Sequence, residues 1–189
     1  SEAERYASAI LTCAHGSMEL GGGVCDILFG KKSPAGRLPM TWYPSSRELP
    51  DLDEYDIILG KRTYQYDDGE VLYPFGYGLS YTTFSYSGIS VNEANLSDET
   101  WNEKGISIDK TEFSGGCAGQ IQGSFYVENT GKMIGDEVVQ VYVRKIPDEA
   151  QERVHLQLPI KKLAYFERVK DLQPGEKRQI IFALPIRSL

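Results

Sequence analysis

The sequence predicts an α/β segment followed by an all-β sandwich. Three observations carry this reading. Helical periodicity with a glycine stop is confined to the stretch from Glu19 to Gly30, aromatics punctuated by glycines run from Tyr64 to Tyr86, and two-residue apolar alternation dominates beyond about Ser85. The boundary is expected at 84/85, giving units of residues 1–84 and 85–189.

The first unit opens with the apolar run Ala9-Ile10-Leu11-Thr12-Cys13-Ala14, which predicts a buried strand over Ser8 to Ala14. A helix through Ala14 is the alternative, because Ser1 and Glu4 have capping-box spacing and Ala3, Ala7, Ile10, Leu11 and Ala14 share a helical face. After His15-Gly16-Ser17, Leu20, Val24, Ile27 and Leu28 recur at helical spacing, and Gly30 stands where a helix places its C′ glycine. Ser33-Pro34-Ala35-Gly36 reads as a turn, Leu38 to Tyr43 as a short extended piece closed by Pro44, and Pro44 to Gly69 as polar loop. Tyr64, Tyr66, Tyr73, Phe75, Tyr77, Tyr81, Phe84 and Tyr86 follow.

In the second unit Gln122 to Glu128 alternates around Phe125 and Val127, Asn129-Thr130-Gly131 turns the chain, and Val138 to Arg144 alternates through Val139, Val141 and Val143. Leu163 to Val169 and Gln179 to Leu184 form a further strand pair around the turn Gln173-Pro174-Gly175-Glu176. Short strands at this spacing predict a sandwich rather than βαβ units.

Composition excludes several classes. A chain of 189 residues with 41% hydrophobic and 25% charged side chains is long enough for a core and too ordinary for disorder, coiled coil or collagen. Its net charge of −7 argues against nucleic acid or an anionic membrane as partner. No run reaches the ~18 apolar residues of a membrane span. The start Ser1-Glu2-Ala3-Glu4-Arg5 has neither an initiator Met nor a signal-peptide pattern, so the chain is expected to begin inside a longer protein, and no compartment is assigned. Cys13, Cys25 and Cys117 have no metal spacing and read as buried or free thiols, while His15 and His155 are too few and too far apart in sequence for a metal site or triad.

Two glycine patterns fail as phosphate loops. Before Gly30-Lys31, Cys25 occupies the place of the first Walker A glycine, and Lys32 stands where Ser or Thr would hold magnesium. Gly21-Gly22-Gly23 meets Asp26 where a dinucleotide fingerprint needs its third glycine. No cofactor is called for.

The distinctive stretches are Leu28-Phe29-Gly30 with Ser33-Pro34-Ala35-Gly36-Arg37-Leu38-Pro39-Met40-Thr41-Trp42, then Gly60-Lys61-Arg62-Thr63-Tyr64-Gln65-Tyr66, then Leu72-Tyr73-Pro74-Phe75-Gly76-Tyr77-Gly78-Leu79-Ser80-Tyr81-Thr82-Thr83-Phe84. Val127-Glu128-Asn129-Thr130-Gly131, Gly135-Asp136-Glu137-Val138-Val139-Gln140-Val141-Tyr142-Val143 and Leu158-Pro159-Ile160-Lys161-Lys162-Leu163 to Glu176 follow in order. Together they resemble the C-terminal part of family 3 glycoside hydrolases. The resemblance implies the end of an α/β-sandwich domain followed by a fibronectin type III-like, immunoglobulin-like sandwich, here lacking its last strands because the chain stops at Leu189. An incomplete piece of a longer protein is the expectation.

Family members are retaining hydrolases of β-linked glucosides or xylosides, which need a carboxylate nucleophile and an acid/base about 5 Å apart. The resemblance places the nucleophile in an N-terminal barrel and the acid/base earlier in the second domain, both outside this sequence. The chain alone is therefore expected to be inactive, with no catalytic residue or metal ligand of its own. It would reach a β-linked oligosaccharide or glycoside only through a parent carrying the barrel.

Four residues are candidates for a place near substrate. His15 and Glu19 lie in a strand-to-helix loop resembling the family's Pro-Gly-Gln-Glu-Gly-Gly loop, with helix initiation as the structural reading. Tyr64 and Tyr66 sit in a polar loop where rings stack on sugars, although packing is the ordinary use of such aromatics. Phe75, Tyr77, Tyr81 and Phe84 read as packing between the units, and Arg37 and Arg62 as loop holders acting through carboxylates. Asn95-Leu96-Ser97 is a glycosylation sequon, relevant only to a secreted eukaryotic parent. A non-catalytic carbohydrate-binding or adhesion module is the alternative function.

Overall fold

The computed structural model describes residues 5–13, 15–49, 51–91, 94–95, 119–145 and 157–185. Helix α1 spans Leu20–Leu28. It ends as the sequence predicts. The Phe29 N–H reaches the Cys25 carbonyl at 2.9 Å, and Gly30 turns into the left-handed region at φ +68°, which only glycine adopts without cost.

The buried strand predicted for Ser8 to Ala14 does not form. Residues 8–13 are exposed and unpaired. A strand exists only through a ladder with a neighbour, and no described segment offers one. Helical backbone appears only at Arg5 and Tyr6, while Ser1, Glu4 and Ala14 lie outside the described residues.

Two extended strips hold the rest of the first unit together. The Leu38 N–H donates to the Tyr77 carbonyl and the Gly76 N–H to the Leu38 carbonyl, both at 2.8 Å, and Trp42 bridges antiparallel to Tyr73. The predicted polar loop contains a 3-10 turn at Ser46–Glu48, where Ser45 accepts from the Arg47 N–H. It also contains the short helix α2, Thr63–Tyr66.

The second unit is a sandwich of antiparallel strands: β1 Phe84–Val91, β2 Ala94–Asn95, β3 Gln120–Asn129, β4 Gly135–Val143, β5 Lys162–Leu172 and β6 Lys177–Pro185. One sheet has the order β2-β1-β3-β6, the other β4-β5. Phe125, Val127, Val139, Val169, Leu172, Ile180, Phe182 and Leu184 face each other across the middle, with Ile89 and Val91 of β1. The alternation read from sequence is visible on β6, where Ile180, Phe182 and Leu184 are buried and Ile181 and Ala183 exposed.

The predicted strand pairs around turns need correction. β3 and β4 flank the Asn129-Thr130-Gly131 turn but lie in opposite sheets, and so do β5 and β6 around Gln173–Glu176. β3 pairs instead with β1 and β6, and β4 with β5. Period-two patterning fixes which face of a strand is buried and says nothing about its partner.

Cys13 and Cys25 are free and exposed, and Cys117 and His155 lie outside the described residues. So do Leu96 and Ser97 of the sequon. No described helix is long and apolar enough to cross a membrane.

Candidate functional site

The side chains that do specific work lie along the seam where the first unit meets the sandwich. Its first element is an ion pair. Arg37 leaves the Ala35-Gly36 turn, donates from Nη1 to the carbonyls of Ala35 and Gly36, and places Nη2 at 2.6 Å from Glu137 Oε2 on β4. Both side chains are nearly enclosed, 13% and 9% exposed. The second oxygen of Glu137 accepts from the Tyr86 hydroxyl of β1 at 2.7 Å. Burial, reinforced by the Glu137 charge, pushes the Tyr86 phenol well above its ordinary range and keeps it a donor.

The second element is a backbone contact around Gly76. Its carbonyl accepts from Gln140 Nε2 at 3.2 Å, and Gln140 Oε1 in turn accepts from the Tyr142 hydroxyl at 2.6 Å. Gly76 has φ +80°, and a Cβ there would stand 2.3 Å from Gln140 Oε1 and 2.7 Å from Tyr142 Oη. Glycine is required by both conformation and space. Burial raises the Tyr142 phenol to about 12.

Tyr64 supplies the third element. Its ring stacks on Phe75 at 4.1 Å with 13° between planes and meets Tyr142 edge-on at 6.1 Å. Its hydroxyl accepts from the Leu163 N–H at 3.0 Å, and the Gln65 carbonyl accepts from Ile160 at 2.6 Å. Tyr66, two residues on, is half-buried. His15 and Glu19 lie on the exposed turn ahead of α1. Among the described residues no hydrogen bond or ring contact joins this pair to Tyr64 and Tyr66.

A buried amide fastens the connector between the units. Asn129, fully enclosed at the end of β3, accepts through Oδ1 from Thr82 Oγ1 at 2.6 Å and from the Gly131 N–H at 3.0 Å. Its Nδ2 donates to the carbonyls of Leu172 at 2.8 Å and Met133 at 2.9 Å. Tyr81 extends the connector toward α1, its hydroxyl donating to the Ile27 carbonyl at 3.1 Å.

The expected roles of the arginines divide. Arg37 does act through a carboxylate. Arg62 donates instead to the backbone carbonyl of Asp51, leaving its Nε buried without a partner, as is Asp67 Oδ2. Lys61 and Thr63, either side of Arg62, sit at positive φ.

Glu137 is the one acidic side chain among the described residues that is buried, and Arg37 neutralises it. Asp136 is committed too: burial acts to raise it, but the Asp171 N–H and the Arg168 guanidinium outweigh this and hold the carboxyl below the usual range. These carboxylates build structure. Sequence reasoning missed Glu137, although a signal was present: it shares the core-facing parity of Val139, Val141 and Val143, and an inward carboxylate demands a cation.

A short α/β segment stitched through side chains to the face of an immunoglobulin-like sandwich defines a class of paired non-barrel domains. Residues 1–81 match the glycosyl hydrolase family 3 C-terminal domain and residues 137–189 the fibronectin type III-like domain, so the chain belongs to the C-terminal region of glycoside hydrolase family 3. It is 35% identical over 191 residues to thermostable beta-glucosidase B of Acetivibrio thermocellus, covering 95% of this chain and 22% of that protein. It is likewise 35% identical over 181 residues to xylan 1,4-beta-xylosidase of Xylanibacter ruminicola, covering 96% and 17%. The solved beta-glucosidase 3B of Thermotoga neapolitana in complex with alpha-D-glucose aligns with a TM-score of 0.64 at 29% identity, over 89% of this chain and 21% of that one. The chain thus spans about a fifth of the length of the relatives it matches.

Proposed function

We propose that this chain is the C-terminal portion of a retaining glycosidase acting on β-linked glucosides or xylosides, in which it packs and braces the catalytic part. We place the division between its two units at 84/85, one residue inside β1, whose Phe84 already pairs with Asn129. The observation that carries the proposal is the seam: the family-like motifs around Arg37, Gly76 and Tyr64 are consumed in joining the units, and the relatives that the chain matches overall are β-glucosidases and β-xylosidases. The carboxylates for retention come from a barrel and an upstream α/β region of the parent. His15, Glu19 and Tyr66 remain its candidates for the rim of the substrate pocket, while Tyr64, whose ring and hydroxyl are engaged by Phe75, Tyr142 and Leu163, is assigned to the seam.

Assaying the purified chain on aryl β-glucoside and β-xyloside tests the absence of catalytic carboxylates. No turnover above buffer is expected, and turnover abolished by changing a single acidic residue would refute it. Retention of the chain on insoluble β-glucan or xylan would instead favour the binding-module reading.

A further inference from the structure

We draw no further inference here: the strongest candidate, the second edge of β4, which among the described residues pairs only with β5 and leaves Val141 and Val143 half-buried, carries nothing because Arg37 flanks its Glu137 end and nothing in the structure shows what covers the rest.

Discussion

Arg37 and Glu137, a hundred residues apart in sequence, form a 2.6 Å ion pair enclosed on both sides, and this contact joins the α/β segment to the sandwich. Breaking such a pair from one side leaves an uncompensated buried charge. Arg37→Ala is expected to cost about 3 kcal/mol in denaturant unfolding. The double variant Arg37→Met/Glu137→Leu should lose about 2 kcal/mol less than the sum of the single changes. Strict additivity would show that the pair contributes nothing as a pair.

Gly76→Ala meets both a left-handed backbone and the Gln140 amide. We expect it to cost about 2 kcal/mol, falling to about 1 kcal/mol when made in a Gln140→Ala/Tyr142→Phe background, where only the backbone penalty remains. Equal costs in both backgrounds would place the strain in the backbone alone.

Asn129 satisfies two acceptors and two donors from the interior. Asn129→Ala strands the Leu172 and Met133 carbonyls and the Thr82 hydroxyl, with an expected loss of about 3 kcal/mol. Asn129→Asp should be no better, because the carboxylate would face two carbonyl oxygens. Thermal unfolding of both variants checks this.

Acid should weaken the fold in part through Asp136. Its folded pKa lies below its unfolded one, so its contribution is present above about pH 4 and lost as pH falls through the lower folded value. Asp136→Asn should lower stability at neutral pH and flatten the acid limb of the stability profile. An unchanged slope below pH ~4 would assign the acid sensitivity to other carboxylates.

Much of the fold was legible in the sequence, because burial parity and helix termination are local properties. Gly30 stops α1, and Ile180, Phe182 and Leu184 line one face of β6, as their spacing requires. Strand pairing was not legible, since β3 and β4 turn across the sandwich rather than beside each other. The run at residues 8–13 misled because an apolar sequence is a strand only where a neighbour supplies a ladder. The seam was half legible. Phe75 and Tyr81 read as packing between the units, yet Phe75 stacks on Tyr64 and Tyr81 bonds to Ile27, both within the first unit, and the partners Glu137, Gln140 and Leu163 stand about 60 to 100 residues away from theirs and follow from no local pattern. The candidates His15 and Glu19 rest on a loop position and the family resemblance, and Tyr66 on its place in a polar loop, because a substrate rim is defined by the parts it faces.

The most direct test replaces the matching 191-residue segment of thermostable beta-glucosidase B with this chain and follows aryl β-glucoside hydrolysis. We predict a folded hybrid that hydrolyses the glucoside with retention of anomeric configuration, and that loses turnover through instability when Arg37→Ala is introduced. A well-folded hybrid without activity, or activity from residues 1–189 alone, would contradict the assignment of this chain as a non-catalytic brace of a family 3 glycosidase.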